Sequence, residues 1–269
     1  MTLTYLGPTI GAGDLIVPAA QEAALDPLLA AAVGLWRASQ LPDGWVHADG
    51  WGNEGSAGSA IDLIPYDGVS LDGAAAPSTP TLETSGDRGV EAVSADPNNA
   101  GDALMFQAGD DASLDMSGSF SFAIDFTPLT VSTDVSSIRF IRKIAGGILE
   151  LPGFVVENTP PGYGDFAIAL TAGTGSTFAV DYNAFILADP SAARHTVVVS
   201  VTPTTMKAWL DGVQLTNPFA TADLTAVGSP ENAQPLYIGV GQRLHNLVWW
   251  DDDLTDGEAQ AIDALLRAA

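Results

Sequence analysis

One eight-residue segment constrains the fold more than any other part of the chain. Residues 119–126, SFSFAIDF, alternate strictly, so Phe120, Phe122, Ile124 and Phe126 share one face of an extended strand. A helix would scatter these side chains around its circumference. Full burial contributes roughly 1.5–3 kcal/mol per side chain, and a slip of one residue would expose all of them. The segment therefore predicts a strand of fixed register with one face against a core.

Further segments carry a similar strand signal, and turn residues separate them. Asp211 and Gly212 form the residue pair that a tight two-residue hairpin prefers. The 28 glycines and 17 prolines are spread along the chain, as in proteins built from many short strands. Regularly spaced strands with such turns indicate an all-β, two-sheet antiparallel sandwich. The predicted strands are residues 35–38, 119–126, 138–144, 153–157, 165–170, 177–182, 195–201, 206–210, 236–240 and 243–250.

The N-terminal 34 residues differ from the predicted sandwich, which we place at residues 35–269. Residues 19–33 are rich in Ala and Leu, and Asp26 is suited to cap a short helix that begins at Pro27. Residues 1–18 predict an extended arm, either a flexible terminus or a segment that docks on a neighbouring subunit. The apolar residues that would make this docking contact are Leu3, Tyr5, Leu6, Ile10, Leu15, Ile16 and Val17.

The C-terminal residues predict a short helix. Thr255 and Glu258 have the spacing of a capping box, in which each side chain bonds the other residue's backbone N–H. Ala259, Ile262, Leu265 and Leu266 then recur at helical spacing. We expect this apolar stripe to pack on the edge of the sandwich.

Charge and composition exclude several classes of partner. The chain has 33 acidic and 9 basic residues, a formal net charge of −24, and no basic run that could displace counterions from DNA or RNA. The same charge argues against anionic membranes. The acidity has three explanations: solubility, a salty environment, or carboxylates that bind cations. We favour solubility, because the aspartates are scattered through turns.

Features tied to particular compartments are missing from the sequence. The chain has no cysteine, which excludes disulfides, thiolate nucleophiles and Cys-based zinc sites. The N-terminus has neither the basic nor the apolar region of a signal peptide, and no stretch approaches the length of a membrane span. A protein of this kind that works outside a cell is expected to be made in the host cytoplasm and released within an assembled particle.

Several segments, taken in order, carry a family resemblance. Residues 195–199 (HTVVV) followed by 206–213 (MKAWLDGV) are similar to an H-x-V-x-V … Y-x-D-G hairpin, and residues 236–239 (LYIG) and 254–258 (LTDGE) resemble the segments after it. In this respect the chain resembles the laminin-G-like jelly-roll family of the concanavalin-like lectin and glucanase superfamily. The resemblance implies a two-sheet jelly roll over about residues 35–266. It implies no single function, because a fold hosts many functions.

No catalytic or cofactor-binding set is predicted. Jelly-roll glucanases share an E-x-D-x-x-E strand whose carboxylates act as nucleophile and acid, and this chain lacks it. His47, His195 and His245 lack the spacing of a metal site, and the resemblance makes His195 structural. The runs 110–111 and 251–253 are aspartates suited to Ca²⁺, and some family members hold Ca²⁺ near such loops. Solvated turns are the favoured interpretation of both runs.

Trp249 and Trp250 are adjacent on a predicted strand, so their rings point to opposite faces. One ring belongs in the core. The other is either a stacking platform for a sugar or a plug beneath the C-terminal helix. We favour the plug, because the helix needs an apolar partner.

The sequence therefore predicts a non-catalytic interaction protein. The main hypothesis is a virion surface protein of a tailed bacteriophage, on the capsid or tail, which binds other virion proteins and forms a homo-oligomer or joins a multimeric particle. The alternative is a carbohydrate-binding lectin or adhesin that holds host-surface glycans. A glycoside hydrolase is the hypothesis with least support, because the carboxylate strand is missing.

Overall fold

The computed structural model describes residues 26–66, 79–92, 103–129, 138–143, 153–158, 166–171, 183–185, 193–214, 221–223 and 229–268. The seven arm residues and the predicted strand at 177–182 lie outside this part of the chain. The division into an arm at 1–34 and a sandwich stays a prediction.

Sixteen strands and two α-helices occur in the described residues. The helices are α1 (Pro27–Ala30) and α2 (Asp256–Ala268). The strands are β1 (Gly34–Arg37), β2 (Ile64–Pro65), β3 (Thr81–Glu83), β4 (Gly89–Ala92), β5 (Leu104–Ala108), β6 (Phe120–Pro128), β7 (Ile138–Lys143), β8 (Gly153–Asn158), β9 (Phe166–Thr171), β10 (Asn183–Phe185), β11 (His195–Val201), β12 (Thr205–Leu210), β13 (Val213–Gln214), β14 (Thr221–Asp223), β15 (Leu236–Gly239) and β16 (Gln242–Trp250).

The strands form two antiparallel sheets. The larger sheet has the order β13-β12-β11-β6-β16-β4-β3, with β1 paired to β16 and β14 to β12. The smaller sheet has the order β10-β9-β8-β7-β15-β5-β2. Neighbouring strands in these orders are often far apart in sequence, as in a jelly roll. The predicted all-β, two-sheet sandwich with short helices at its ends is therefore confirmed.

Strand β6 lies near the centre of the larger sheet and supplies much of the core. Its four alternating apolar side chains, Phe120 to Phe126, are all fully buried. Phe122 stacks on Phe154 of β8, with ring centroids 4.5 Å apart, and Phe126 lies 4.9 Å from Phe140 of β7. Since β7 and β8 belong to the smaller sheet, these contacts join the two sheets. The predicted inward face of residues 119–126 is confirmed.

A second apolar cluster covers the outer face of the larger sheet. Ala123 of β6 and Val248 of β16 point outward and pack with Ile262 and Leu266 of α2. Leu29 of α1 joins the same cluster. Helix α2 contacts the edge strand β13, but it also contacts β11 and β6, so it covers the outer face of the larger sheet and not only the predicted sandwich edge. The outer positions of these strands carry their own apolar residues, which give the helix a face to cover.

Local signals at the turns and caps behave as predicted. Asp211 and Gly212 have φ values of 51° and 74°, the left-handed conformation that a type I′ hairpin requires at both positions. Asp26 accepts a hydrogen bond of 2.9 Å from the Leu28 amide and so caps α1. Glu258 Oε2 accepts from the Thr255 amide at 2.8 Å, which completes one half of the capping box of α2. None of the helices in the described ranges is long and apolar enough to cross a membrane.

Stability is expected to depend on pH through the buried His245, which is 1% exposed. Its Nδ1 donates to the carbonyl of Arg88 at 2.7 Å, and its Nε2 accepts from the hydroxyl of Thr127 at 2.9 Å, so the neutral ring is fully bonded. Burial lowers the pKa of His245 below its ordinary value. Below about pH 6.5, His245 therefore binds a proton in the unfolded chain but stays neutral in the folded protein until the pH falls further.

The contribution of His245 to stability is complete above that pH and is lost as the pH falls further. Urea unfolding at pH 7.5 and 5.5 measures the loss, and the variant His245→Gln should show a smaller difference between the two values. His47 and His195 are present in both proteins, so their contributions cancel when the pH dependence of the variant is compared with that of the parent. An unchanged difference in the variant would contradict the prediction.

Candidate binding cleft

Two adjoining cavities open at one end of the sandwich, and together we call them the end cleft. One has a volume of about 190 Å³ and the other of about 220 Å³. Both are lined by Ser117. The first is lined mainly by apolar and small residues: Met116, Ser117, Gly118, Val201, Thr202, Pro203, Ser229 and Pro230. The second is lined mainly by carboxylates: Asp110, Asp111, Ala112, Asp115, Ser117 and Glu231.

Strand pairing brings the walls of the end cleft together. Rim A, residues 109–119, connects β5 to β6, and rim B, residues 229–235, leads into β15. Strands β5 and β15 pair with Leu236 opposite Ala108, so the two rims leave the smaller sheet side by side. The turn at 202–204 leaves the larger sheet beside β6, because Val201 pairs with Phe120. The cleft therefore spans the open end between the two sheets.

Hydrogen bonds between residues two apart in sequence fix the orientation of two carboxylates of rim A. Asp111 accepts from the Ser113 amide at 2.9 Å and caps the short turn that follows it. Asp115 accepts from the Ser117 amide at 2.6 Å and from the Ser117 hydroxyl at 2.9 Å. These bonds from Ser117 lower the pKa of Asp115, and the bonds from Ser113 lower the pKa of Asp111. Both side chains are therefore ionised acceptors at neutral pH.

Glu231 and Lys143 tie the two rims to each other. Glu231 of rim B accepts from the backbone amide of Met116 in rim A at 2.5 Å. Lys143, the last residue of β7, lies beneath the acidic cavity with its side chain fully buried. Its Nζ lies 3.1 Å from Asp110 Oδ1 and 3.6 Å from Glu231 Oε1. The cleft thus combines a negative half, an apolar half and one buried cation.

The sequence did not predict this site. Asp110 and Asp111 were interpreted as a solvated turn, but both line the acidic cavity and Asp110 pairs with Lys143. Glu231 has no acidic partner nearby in sequence, so no sequence pattern singles it out, yet the fold places it opposite rim A. The described residues contain no group of three or more His, Asp or Glu side chains that could hold a metal ion.

The two tryptophans singled out as glycan-stacking candidates are both inaccessible. Trp249 is 0% exposed and packs in the core between the sheets, against Phe120 and Phe122. Trp250 is 4% exposed and lies in the outer cluster beneath the helices, where its Nε1 donates to the carbonyl of Leu28 at 2.9 Å. The stacking role was therefore wrong for both rings, because neither offers a face to solvent. Trp250 instead lies beneath the C-terminal helix, as expected for the plug that we favoured for one of the two rings.

His195 lies at the start of β11, and its contacts join three elements. Its Nδ1 is 2.9 Å from Asp211 Oδ2 in the β12–β13 hairpin. Asp211 Oδ1 accepts from the Thr196 amide at 2.9 Å and from Arg267 of α2 at 2.8 Å. Burial acts to raise the pKa of Asp211, but the bonds from His195 and Thr196 and the nearby Arg267 leave it lowered overall. The charged carboxylate therefore links the strand, the hairpin and the helix.

Comparison with known proteins identifies the fold. The sequence matches no protein-family model and no curated protein. Among solved structures, domain 4 of AbnA, an extracellular arabinanase from Geobacillus stearothermophilus solved with arabinotriose, aligns at a TM-score of 0.55 and 12% identity. That alignment covers 86% of this chain and 98% of the other.

Neurotoxin domains show the same likeness. The botulinum neurotoxin serotype D binding domain aligns at a TM-score of 0.52 and 8% identity, over 88% of this chain. The binding domain of botulinum neurotoxin DC, solved with rat synaptotagmin II, aligns at 0.54 and 9% identity, also over 88% of this chain. The present chain spans about half the length of these neurotoxin domains, 51% and 52%. The chain therefore has the two-sheet β-sandwich fold of these domains.

Proposed function

We propose that the protein is a non-catalytic binding module that holds a neutral oligosaccharide in the end cleft. The observation that carries the proposal is the pairing of an apolar cavity with a carboxylate-lined cavity around Ser117. A sugar ring has an apolar C–H face and a rim of hydroxyl donors. The exposed Pro203 offers a contact to the C–H face, while Asp115 and Glu231 offer acceptors to the hydroxyls.

The fold comparison supports the carbohydrate class. The arabinanase domain that was solved with arabinotriose aligns with this chain over 98% of the length of that domain. It is a domain attached to an enzyme, so a role in holding a sugar chain needs no catalytic residues of its own. We take its ligand as the first probe for this protein, and we assign no residue role from it.

The charge of the cleft favours neutral ligands over acidic ones. Four carboxylates line the acidic cavity, and the only lysine or arginine that pairs with them among the described ion pairs is the buried Lys143. The whole chain carries a formal charge of −24. A sialylated or uronic-acid ligand would therefore meet repulsion at short range and on approach.

The test is a binding titration of the purified protein with arabinotriose, a panel of other neutral oligosaccharides, and acidic sugars of matched length. We expect binding to one neutral class and none to its acidic counterpart. Asp115→Asn should weaken that binding by about tenfold, because the acceptor of the sugar hydroxyl loses its charge. Asp253→Asn makes the same change of charge at an exposed residue outside the cleft, and it should leave the affinity unchanged.

Two outcomes would contradict this proposal. One is equal binding of neutral and acidic sugars, since the charge of the cleft would then be irrelevant. The other is release of shorter sugars from the bound oligosaccharide, because turnover would make the protein a hydrolase. Isothermal calorimetry measures the first, and chromatography of the sugar after long incubation measures the second.

Placement on a bacteriophage particle is a separate proposal, and its support is the partly apolar sequence of residues 1–18. If the arm docks on a neighbouring subunit, deletion of residues 1–17 should convert an oligomer into a monomer in analytical ultracentrifugation. A full-length chain that is already monomeric would contradict the docking arm. Carbohydrate binding in the cleft does not depend on this result.

A further inference from the structure

Lys143 is an unusual residue to find beneath a cleft, because its side chain is 0% exposed. A buried ammonium is costly unless its three donors find partners. Its Nζ donates to Asp110 Oδ1 at 3.1 Å in rim A and to the carbonyl of Asn232 at 2.8 Å in rim B. Glu231 Oε1, also in rim B, lies 3.6 Å away. The ammonium therefore contacts both walls of the cleft.

The backbone at Lys143 is part of the same connection. Asn232 Nδ2 donates to the carbonyl of Lys143 at 2.9 Å, and Asn232 Oδ1 accepts from the Gln234 amide at 2.9 Å. Rim B is thus fastened to the end of β7 through the backbone as well as through the ammonium. Rim A has two connections to this assembly: the Asp110 bond to Lys143 and the bond between Met116 and Glu231.

We propose that Lys143 is the positioning residue of the end cleft, and that its ammonium sets the separation between rim A and rim B. The expected effect on ligand affinity rests on the proposed function. The expected effect on the separation of the rims is independent of it. A preorganised cleft binds more tightly, because the loops lose less freedom when the ligand arrives.

A merely stabilising lysine would behave differently. Replacing one member of a buried ion pair changes stability, but it does not by itself move two loops apart. The separation of the rims is therefore the readout that distinguishes positioning from packing. Lys143→Met keeps the apolar stem and removes only the charge and the donors.

The absence of cysteine makes this separation measurable. Cysteines introduced by Ala112→Cys and Ala233→Cys, both at exposed positions, would carry the only two spin labels in the chain, one on each rim. Pulsed dipolar spectroscopy should then give one narrow distance distribution. Adding Lys143→Met should broaden it and shift it to longer distances. An unchanged distribution would overturn the proposal.

The matched control is Lys207→Met, which removes a lysine paired with Asp256 at 2.7 Å on the exposed surface. It should leave the distribution unchanged. If Lys143→Met fails to fold, Asp110→Ala decides the question, since it keeps the lysine and removes its partner in rim A. That variant should broaden the distribution in the same direction, and a distribution identical to that of the parent would overturn the proposal.

Ligand affinity is measured separately, in the cysteine-free chain with arabinotriose as the probe. Lys143→Met should weaken binding by about tenfold, because the ligand must then order two rim loops that the ammonium had held in place, and Lys207→Met should have no effect. If the parent protein binds no sugar at all, the proposed function fails while the distance measurement still judges the role of Lys143. If sugar binding is present but the rims do not move in the variants, the positioning proposal fails alone.

Discussion

Replacing Arg194 with methionine is expected to lower the free energy of unfolding by about 3–5 kcal/mol, because the buried carboxylate of Asp125 loses its bonded cation and keeps only the amide of Asn246 among its described side-chain donors. Asp125 is 0% exposed and lies on the outer face of β6, beneath α2. Arg194 Nε donates to its Oδ1 at 2.7 Å, and Arg194 Nη2 donates to its Oδ2 at 2.5 Å. This two-point contact is the strongest geometry for such a pair.

The loss should be largest at the end of α2. The carbonyl of Leu266 accepts from Arg194 Nη2 at 3.1 Å and from Asn246 Nδ2 at 3.2 Å. Without Arg194, the last turn of the helix keeps only the weaker amide bond to this network. Hydrogen exchange of the α2 amides should therefore accelerate more than that of β6, and chemical denaturation measures the total.

Two variants make this prediction specific. Lys207→Met removes a surface ion pair whose side chains are 38% and 52% exposed, and such a pair contributes no more than about 1 kcal/mol. The double variant Arg194→Met with Asp125→Leu should recover part of the loss, because it removes the orphaned charge. If Arg194→Met and Lys207→Met lowered the free energy of unfolding equally, the buried ion pair would contribute no more to stability than an exposed one, and the prediction would be wrong.

Trp249→Ala should also lower the free energy of unfolding by about 3–5 kcal/mol, through the cavity that it leaves in the core. The indole ring stacks on Phe120 at 5.3 Å and on Phe122 at 5.9 Å. It also lies 5.8 Å from Phe154 of the smaller sheet. Its removal therefore takes away contacts within one sheet and between the two.

Trp249→Phe should cost less than Trp249→Ala, for two reasons. It keeps an aromatic ring in the stack, and it removes an indole N–H that is buried with no hydrogen-bond partner among the described residues. Val213→Ala, at a side chain that is 68% exposed, is the surface control and should change stability by less than about 0.5 kcal/mol. A Trp249→Ala protein of unchanged stability that had lost sugar binding would restore the stacking role.

The sequence predicts those parts of this fold that depend on neighbouring residues. Alternation over residues 119–126 predicts the inward face of β6, because a strand has a period of two. Asp211 and Gly212 predict the hairpin, since few residue pairs tolerate the left-handed conformation twice in succession. Thr255 and Glu258 predict the start of α2, because the capping box uses a fixed spacing. Each signal lies within a few residues of the structure it determines.

Features that depend on distant residues could not be predicted in this way. Alternation places Asp125 on the outer face of β6, which would ordinarily meet water. Its burial requires a helix that begins at Asp256, and its ion pair requires Arg194, 69 residues away. The end cleft is similar, because Glu231 meets Met116 across 115 residues and only the pairing of β5 with β15 brings them together.

Helix α2 also determines where a carrier can be attached. The Leu254 amide, just before the helix, bonds to Ser121 Oγ at 3.1 Å, near the cleft end of β6. The Leu266 carbonyl is held at the level of Asp125, farther along the same strand. A tether, surface linker or fusion partner joined after residue 268 would therefore leave from the side of the domain opposite the mouth of the cleft. Immobilisation through that point would therefore leave the mouth of the cleft unobstructed.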